Sequence, residues 1–373
     1  MGFKIAVVVD EFDKPGQTFV NRHINSLFQG NTVVISRRPV GSNDPIKPVF
    51  VYDKPRLRLK TVLRPMSLIS KVWQSAGLED FLRGNNVEVI LAEFGYCGVN
   101  LYREAEKFGI PMFCYFRGAD ASRWLNYPKY VGRLREMIGS VEGIFSVSQF
   151  LLDQLASRGI VHSNAVVIPS GVDTELFAPG MKDPNLLCSV GRLIEKKGHL
   201  ATLEAFRRVA SEFPNVCLEI VGDGELLGRC QSFVKTNGLA ERVRLHGYRD
   251  HEFVRELLSR SSVFLQHSVT DEHGETEGMP TSVQEAMAAG NAIIATAHAG
   301  IPEHVTDHVN GFLTPENDVE AYCDRLRTVL ASRALLSQLA NNARTYAVEI
   351  LDCRIGLQRL ESQLLKALYD RKS

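Results

Sequence analysis

Residues 263–296, "VFLQHSVTDEHGETEGMPTSVQEAMAAGNAIIAT", decide the fold class, because they contain a strand, a loop, a helix and a second strand in that order. Two apolar runs, "VFLQHS" (263–268) and "NAIIAT" (291–296), flank a helix predicted over about 280–289. Pro280 suits the first turn of that helix and Gly290 suits its C-terminal stop. Short buried strands that alternate with helices are typical of a parallel β-sheet covered on both faces.

The same alternation runs through both halves of the chain. In the first half the predicted strands are "KIAVVV" (4–9), "NTVVIS" (31–36), "VEVILAEF" (87–94), "PMFCYF" (111–116), "GIFSVS" (143–148) and "AVVIPSG" (165–171). In the second half they are "LLCSVG" (186–191), "VCLEIVG" (216–222), "VRLHG" (243–247), "VFLQHS", "NAIIAT" and "GFLTP" (311–315). The pattern predicts an α/β protein with two Rossmann-like domains.

A stretch rich in Gly, Pro and Asp, "SGVDTELFAPGMKDPN" (170–185), separates the two halves and is predicted to be the hinge. We therefore expect an N-terminal domain over 1–173 and a C-terminal domain over 174–350. The final helix, 351–373, is expected to pack back on the first domain. Open α/β sheets bind ligands at the carboxyl ends of their strands, so the site is expected in a cleft between two facing sheets.

Length and composition fit a two-domain globular protein. The chain has 373 residues, which exceeds the roughly 250 to 300 at which single cores stop growing. It carries 45% hydrophobic and 23% charged residues, as ordinary globular proteins do. The sequence shows neither a membrane-spanning run nor a signal peptide, so we expect a cytoplasmic protein. Seven cysteines without a CxxC pair indicate reduced, buried thiols, with neither disulfides nor a zinc site.

Charge is balanced overall but uneven along the chain. Residues 36–73 carry nine basic residues against Asp44 and Asp53. Two interpretations explain this segment equally well. It is a solvated face, or its leucines, which alternate with the charges, contact an anionic membrane. No basic and aromatic pattern specific to nucleic acid is present.

The segment "VGRLIEKKGHL" (190–200) is the first candidate for a ligand contact. The chain lacks the dinucleotide fingerprint, the P-loop and the signatures of zinc proteases and serine hydrolases. Instead, Arg192 and Lys197 lie at the first strand-to-helix turn of the second domain, beside backbone amides that can face an anion. This arrangement indicates a diphosphate site, although a lysine near a helix start is commonly a solvated side chain.

Two acids eight residues apart form the second candidate. Glu277 lies in a Gly/Pro loop, and Glu285 lies inside a nearly all-apolar helix whose first amides, at Thr281 and Ser282, carry the positive end of the helix dipole. A carboxylate among small residues must find donors, and ligand hydroxyls are natural ones. The alternative is a solvent-facing helix on which Glu285 is merely polar.

Six spaced motifs resemble those of glycosyltransferase family 4, the retaining enzymes of the GT-B fold. They are Arg192 with Lys197, "VGDGE" (221–225), "HGY" (246–248), Glu277 with Glu285, "VIPSGVDTELF" (167–177) and "AGIPEHVTDHVNGFL" (299–313). The resemblance covers nearly the whole chain and is strongest from about 165 to 315. The wording "EGMPTSVQEAMAAG" followed by "TAHAGIPE" is most similar to enzymes that build exopolysaccharide, capsule or lipopolysaccharide.

The resemblance implies a role for each matching position. Arg192 and Lys197 would hold the donor diphosphate, Glu285 the ribose, and Glu277 the sugar hydroxyls, with Arg192, Lys197 and Glu277 mattering most for catalysis. Further donor contacts would come from Gly16, Gly222, Asp223, Gly224, Gly247, Tyr248, Gly278, Met279, Pro280 and Thr281. The resemblance implies neither a cofactor nor a metal.

The first domain departs from the family pattern on the acceptor or sugar side. Arg117, in "CYFRGADAS" (114–122), replaces a histidine that many relatives carry, and Gln17 stands where this branch often shows Glu. Either the swap at Arg117 changes donor or acceptor handling, or this position needs only its backbone. Asp120 is a candidate to orient the acceptor or, equally, a helix N-cap.

Three hypotheses follow from the sequence. The first is a retaining glycosyltransferase that moves a sugar from a nucleotide sugar, with UDP preferred over GDP, to a glycan or lipid-linked glycan. Residues 36–73 would then hold it at the inner face of the membrane. The second is a nucleotide-sugar epimerase or a glycoside phosphorylase on the same fold. The third is a non-catalytic subunit that binds nucleotide sugars.

Overall fold

A computed structural model describes residues 3–12, 17–38, 47–52 and 77–372 of the chain. These residues form two compact units. Unit 1 comprises Met1–Ser146, Leu152–Ile168 and Leu357–Ser373, and unit 2 comprises Val147–Leu151 and Pro169–Gly356. Gly16, which is predicted to contact the donor, and most of the basic segment 36–73 lie outside the described residues. Their proposed roles therefore stay predictions.

Unit 1 is built on a parallel sheet with the strand order β3-β2-β1-β4-β5-β6-β7. The strands are β1 (Ile5–Val9), β2 (Thr32–Ser36), β3 (Val49–Val51), β4 (Val89–Glu93), β5 (Met112–Phe116), β6 (Gly143–Ser146) and β7 (Ala165–Val167). The described helices are α1 (Thr18–Ser26), α2 (residues 77–84), α3 (Gly95–Phe108), α4 (Pro128–Ile138) and α5 (Gln149–Ala156), whose first residues belong to unit 2.

The apolar strand sequences explain why the sheet of unit 1 is covered on both faces. Every residue of β1, "IAVVV", is buried, as is every residue of β2, β4 and β5. Alternate side chains of a strand point to opposite faces, so a strand without an exposed position must be packed on both sides. In the centre of the sheet, β1 pairs in parallel with β2 on one side and with β4 on the other.

Unit 2 contains a second parallel sheet, ordered β10-β9-β8-β11-β12-β13. Its strands are β8 (Asp183–Val190), β9 (Cys217–Val221), β10 (Val243–Leu245), β11 (Ser261–Gln266), β12 (Ala292–Thr296) and β13 (Gly311–Thr314). Its helices are α6 (His199–Ala210), α7 (Leu227–Thr236), α8 (His251–Arg260), α9 (Thr281–Ala288), α10 (Val319–Ala331) and α11 (Arg333–Ile350). Helix α12 (Cys353–Lys372) begins in unit 2, and its residues from Leu357 onward belong to unit 1.

Two apolar layers cover the sheet of unit 2, and alternate residues of each strand enter opposite layers. Leu187 and Leu265 pack with the layer that includes α6 and α10. Their neighbours Cys188 and Phe264 pack with the layer that includes α8, α9 and α11. Because α9 lies in the second layer, every residue from Ser282 to Ala288 is buried, including the polar Gln284 and Glu285.

The α/β fold with two parallel sheets is confirmed, and each of the twelve predicted strands is present. The sequence analysis missed β3, a three-residue strand at the edge of its sheet, which is too short to give a periodic signal. The predicted helix over 280–289 is α9, and Pro280 is its N-cap rather than its first helical residue. Within the part of the chain that the structure describes, no helix is long and apolar enough to cross a membrane.

Candidate functional site

The candidate site lies at the carboxyl edge of the unit 2 sheet. Because the six strands are parallel, the loops that follow them emerge at the same edge, where α/β sheets bind ligands. Nearly all the residues selected from the sequence in this half of the chain lie in these loops: Arg192 and Lys197 after β8, Gly222 to Gly224 after β9, Gly247 and Tyr248 after β10, and Glu277 after β11. Glu285 follows on α9.

The turn after β8 fits tightly against its neighbours, and two glycines make this possible. A Cβ added at Gly222 would lie 1.9 Å from the carbonyl oxygen of Gly191, and one added at Gly198 would lie 1.8 Å from that of His267. The Gly191 N–H donates to Val221 at 3.0 Å, which ties the turn to the end of β9. Close backbone approach therefore fixes the loop that carries Arg192 and Lys197.

Two lysines and two glutamates form a buried cluster beside this turn, which we call the lysine–glutamate cluster (Lys196, Lys197, Glu275, Glu277). Lys197 Nζ lies 3.1 Å from Glu277 Oε1, and Lys196 Nζ lies 2.7 Å from Glu275 Oε1 and 3.9 Å from Glu277 Oε1. The four side chains are between 7% and 15% exposed. The same turn also carries the exposed Arg192 and Glu195.

Burial and charge act in opposite directions on Glu277. Burial alone would raise the pKa of its carboxyl group, but Lys197 and Lys196 outweigh that effect and lower the pKa to about 2. Burial lowers the pKa of Lys197, and the attraction of Glu277 opposes this shift. Glu277 is therefore a carboxylate at neutral pH and accepts hydrogen bonds only.

A histidine from the loop after β12 supports the main chain of Glu277. The Glu277 N–H donates to His298 Nε2 at 3.1 Å, and His298 Nδ1 lies 2.6 Å from Glu316 Oε1. His298 is 1% exposed. The second carboxylate oxygen of Glu316 accepts the Thr270 N–H at 2.8 Å, so Glu316 ties the loops after β11, β12 and β13 together.

Helix α9 carries the second predicted acid in a buried position. Glu285 is 8% exposed, so the alternative of a solvent-facing helix is wrong. The helix is fixed at its first turn, where Ser282 Oγ donates to Gln266 at 3.3 Å and Gln284 accepts the Gly171 N–H at 3.0 Å. Met279 and Pro280 are buried before the helix, and Thr281, its first residue, is half-buried.

The loops after β9 and β10 lie next to each other, as their predicted shared role requires. The Gly222 N–H donates to the carbonyl of Gly247 at 2.9 Å, and Asp223 Oδ1 accepts the N–H of Gly224 at 2.7 Å. Tyr248 is 69% exposed. The tyrosine ring thus projects from a loop whose backbone is fixed.

In unit 1, Arg117 belongs to a buried cluster of its own, the arginine–glutamate cluster (His23, Glu93, Arg117). Arg117 Nε lies 2.7 Å from Glu93 Oε2, and His23 Nδ1 lies 2.5 Å from Glu93 Oε1. The guanidinium carbon lies 3.8 Å and 4.3 Å from the ring centroids of Tyr115 and Phe19. The structure therefore gives the Arg117 side chain partners inside unit 1.

The charges of this cluster determine its ionisation. Burial would raise the pKa of Glu93, but Arg117 and His23 lower it to about 2. Burial lowers the pKa of His23 against the attraction of Glu93. Glu93 is thus ionised and Arg117 is neutralised by it, while His23 is neutral at pH 7.

Asp120 organises the neighbouring loop of unit 1. Its carboxylate accepts the N–H groups of Gly95 at 2.8 Å, Gly118 at 2.9 Å and Arg117 at 3.1 Å, and it is 1% exposed. It holds backbone amides together but is not the N-cap of its own short helix, which is Gly118, and its role toward the acceptor stays a prediction. Gln17 occupies the N-cap position of α1 without a side-chain capping bond.

The structure thus brings Lys197 and Glu277 into contact, and it keeps Arg117, Asp120 and Gln17 in a separate unit. Sequence analysis missed the partners that support these residues: Lys196, Glu275, His298 and Glu316 in unit 2, and His23 and Glu93 in unit 1. The adjacent lysines of "EKKG" and the histidine of "TAHAGIPE" lie within motifs and could have been selected from the sequence. Their partners are distant in sequence and belong to no recognisable motif.

Among the described residues, no group of three or more His, Cys, Asp or Glu side chains is arranged to hold a metal ion.

Two family models match consecutive parts of the chain. Residues 29–176 match the model described as Glycosyltransferase Family 4, and residues 173–346 match the model described as Glycosyl transferases group 1. Together they extend from residue 29 to residue 346, and they meet within the predicted hinge.

Two relatives are named as biosynthesis glycosyltransferases. The chain is 29% identical over 286 residues to the amylovoran biosynthesis glycosyltransferase AmsK of Erwinia amylovora, covering 71% of this chain and 70% of that protein. It is 31% identical over 247 residues to a putative colanic acid biosynthesis glycosyltransferase, WcaL of Salmonella typhimurium, covering 64% of this chain and 60% of that protein.

Solved structures share the fold over nearly the full length. Anabaena HepE in complex with UDP has a TM-score of 0.80 at 18% identity and covers 98% of this chain and 100% of that chain. A sucrose-phosphate synthase from Thermosynechococcus elongatus has a TM-score of 0.77 at 18% identity, with 99% and 100% covered. These likenesses confirm the GT-B fold predicted from the sequence.

Proposed function

Because the chain belongs to glycosyltransferase family 4, we propose that it transfers a sugar, with retention of configuration, from a nucleotide-sugar donor to a hydroxyl of a glycan or lipid-linked glycan. The observation that carries the proposal is the contact between Lys197 and Glu277, 3.1 Å apart and both largely buried at the carboxyl edge of the unit 2 sheet. A cation for phosphate and an acceptor for sugar hydroxyls are thereby adjacent, as a nucleotide sugar requires.

The cations on the turn after β8 fit a diphosphate. Arg192 and Lys197 would contact its oxygens, and Lys196, paired with Glu275 at 2.7 Å, would add to the local potential. Glu277 would accept hydrogen bonds from the hydroxyls of the sugar, and Glu285 from those of the ribose. The amides at Gly278 and Thr281 would add donors, and the loops at Gly222 to Gly224 and at Gly247 and Tyr248 would border the base.

UDP is the nucleotide that we propose for the donor, in preference to GDP. HepE, which shares the fold, was solved in complex with UDP and with UDP-glucose. A relative from Escherichia coli, 30% identical over 198 residues, is named a UDP-Gal-dependent galactosyltransferase acting on a diphosphoundecaprenol-linked sugar. A mycobacterial relative, 25% identical over 254 residues, is named as GDP-mannose-dependent, so GDP is the alternative to test.

For the acceptor, we propose a growing surface polysaccharide or its lipid-linked precursor, bound by unit 1. The names of AmsK and WcaL, amylovoran and colanic acid biosynthesis, support this class. Contact of residues 36–73 with the anionic inner leaflet belongs to the same proposal, and it would bring the enzyme close to a lipid-linked acceptor.

The chemistry follows from the charges. As the bond between the anomeric carbon and the diphosphate oxygen breaks, negative charge grows on the leaving group and positive charge on the sugar ring. Arg192 and Lys197 stabilise the leaving group, and a fixed donor of this kind contributes about 3 kcal/mol in comparable sites. A phosphate oxygen of the leaving group takes the acceptor proton, and the acceptor attacks from the same face, which retains the configuration. We propose that this reaction needs no metal ion, so transfer should survive treatment with EDTA.

Thermal stabilisation by UDP-, GDP- and ADP-sugars tests the donor site. A ligand at about 100 times its Kd stabilises the folded protein by about 2.7 kcal/mol, which shifts the melting temperature measurably. We expect one nucleotide class to stabilise the wild type and Glu349→Ala, a control at an exposed glutamate of α11 in the same unit, but not Glu285→Ala.

Two outcomes would contradict the proposal. Absence of any shift in the wild type would rule out the donor site. Sugar isomerisation without an acceptor, or transfer from a sugar phosphate, would indicate an epimerase or a phosphorylase instead. Release of nucleoside diphosphate only when a glycan acceptor is present would support glycosyl transfer.

A further inference from the structure

We propose that His298 is a positioning residue that holds Glu277 in the geometry needed to bind the donor sugar, and that Glu316 fixes the tautomer of His298. The inference rests on the proposed function, because it concerns the same site. It assigns a role to the loop after β12.

The hydrogen bonds determine which nitrogen of His298 carries the proton. A backbone N–H can only donate, so Nε2, 3.1 Å from the Glu277 nitrogen, must be the unprotonated acceptor. The proton therefore lies on Nδ1, which is 2.6 Å from the Glu316 carboxylate and donates to it. A carboxylate that fixes one ring nitrogen and thereby sets the role of the other is a recurrent device for orienting histidine.

A second contact holds the next residue of the same loop. The Gly300 N–H donates to the carbonyl oxygen of Gly278 at 2.9 Å. A Cβ added at Gly300 would lie 2.2 Å from that oxygen, so the close approach depends on glycine. Residues 298–300 thus hold the backbone N–H of Glu277 and the carbonyl oxygen of Gly278.

These contacts fix the backbone of Glu277, while Lys197 fixes its carboxylate at 3.1 Å. A group that binds substrate gains most when its position is set before the ligand arrives. Loss of the His298 acceptor would leave a buried N–H without its partner and release the loop that carries Glu277. The diphosphate contacts of Arg192 and Lys197 lie on a different loop and would persist.

Two substitutions separate positioning from simple filling of space. In His298→Gln the amide oxygen reaches the place of Nε2 and still accepts the Glu277 N–H. In His298→Asn the shorter amide reaches the place of Nδ1 and can satisfy Glu316 but not Glu277. Both variants are polar and similar in size, so a merely structural role predicts similar effects.

Calorimetry first identifies which of UDP-glucose, UDP-galactose and UDP-N-acetylglucosamine the wild type binds. The quantity compared between variants is then the ratio of the Kd for UDP to the Kd for that UDP-sugar. If the donor proves to be a GDP-sugar, GDP and GDP-mannose replace this pair. We expect His298→Asn to weaken sugar-nucleotide binding about tenfold while UDP binding stays within about twofold. We expect His298→Gln to stay within about threefold of the wild type for both ligands. In transfer assays the Asn variant should raise KM and lower kcat.

Equal Kd ratios in the Asn and Gln variants would overturn the inference, as would parallel loss of UDP and UDP-sugar binding. If His298→Asn does not fold, Glu316→Ala decides, because its side chain is 29% exposed and its loss frees the tautomer of His298. We then expect a smaller fall in sugar preference, and an unchanged ratio would overturn the proposal. Failure of the wild type to bind any nucleotide sugar would instead refute the proposed function.

Discussion

Two ionic clusters, one in each unit, differ in how completely they are buried. In the arginine–glutamate cluster of unit 1, one cation meets one carboxylate, and aromatic rings lie against the guanidinium. In the lysine–glutamate cluster of unit 2, two lysines meet two glutamates at 7% to 15% exposure, and the same turn carries the exposed Arg192 and Glu195. The first cluster is closed to solvent, whereas the second lies beside an exposed cation, Arg192, that a phosphate group can reach.

The comparison explains why the same residue types have different roles. A fully paired buried charge contributes to structure, and removing one partner leaves the other desolvated and alone. A cluster at the carboxyl edge of an α/β sheet, with an exposed arginine on the same turn, is suited to phosphate groups. We therefore expect mutations in the arginine–glutamate cluster to act on stability and mutations in the lysine–glutamate cluster to act on donor binding and turnover.

The largest effect is expected from Glu93→Ala, which leaves Arg117 buried without its carboxylate. Breaking a buried pair in this way should lower the free energy of unfolding by about 3–5 kcal/mol. Chemical denaturation measures it. The double variant Glu93→Leu/Arg117→Met is the control, because an apolar replacement of both partners should restore most of the loss. A stable Glu93→Ala variant would contradict the structural role of the cluster.

Lys197→Met should act on catalysis with less effect on folding. Removing a cation that stabilises the leaving group should reduce kcat about 100-fold or more, or about 3 kcal/mol in activation free energy. Single-turnover release of the nucleoside diphosphate measures the step. Retention of full turnover would show that the second cluster is as structural as the first.

Acid should destabilise the protein chiefly through unit 2. Burial lowers the pKa of His199, His267 and His304 to about 4 from an ordinary value of 6.5, so the unfolded chain binds their protons first. The unfolding free energy therefore falls as pH drops from 6.5 to 4, by up to about 1.4 kcal/mol per pH unit for each histidine. Glu93 and Glu277, whose pKa values are lowered from 4.5 to about 2, add to the loss of unfolding free energy as the pH falls below about 4.5.

His267 offers the sharpest check of this pH dependence. Among the described residues neither ring nitrogen of His267 has a hydrogen-bond partner, and the ring packs edge-on against Tyr322 at 4.9 Å. His267→Phe keeps this packing and removes the proton. The melting temperature of the variant should gain on that of the wild type steadily from pH 6.5 to 4. A constant difference across that range would exclude His267 as a source of acid sensitivity.

The smallest effect on stability is expected from an exposed ion pair, which serves as the reference for the buried pairs. Arg83 and Glu79 form an exposed pair on α2, with Arg83 Nε 3.0 Å from Glu79 Oε1 and the arginine 62% exposed. Arg83→Ala should change the unfolding free energy by only about 0.3–0.5 kcal/mol, because solvent screens such pairs. A loss comparable with that of Glu93→Ala would mean that burial does not separate the two kinds of pair.

Much of the fold could be predicted from the sequence because buried parallel strands leave a strong local signal. "IAVVV" and "AIIAT" are typical of strands packed on both faces, and they are β1 and β12. The family assignment, made from six motifs, is confirmed by the two family models. In contrast, β3 was missed because three edge residues carry almost no pattern.

The supporting contacts of the site could not be predicted, because they join residues that are far apart in sequence. Lys196 meets Glu275 across 79 positions, and Glu93 meets Arg117 across 24. Such pairs depend on which loops the sheet order brings together. The replacement of a histidine by Arg117 suggested altered sugar handling, and only the contact with Glu93 shows that its charge is matched within unit 1.

Binding of nucleoside diphosphate to Lys197→Met and to Glu93→Leu/Arg117→Met, measured by calorimetry with UDP and with GDP, tests the central claim most directly. The account predicts that Lys197→Met weakens binding about tenfold to 100-fold, the value of one charge-assisted hydrogen bond. It predicts wild-type affinity for the double variant. Unchanged affinity in Lys197→Met, or an equal loss in both variants, would contradict it.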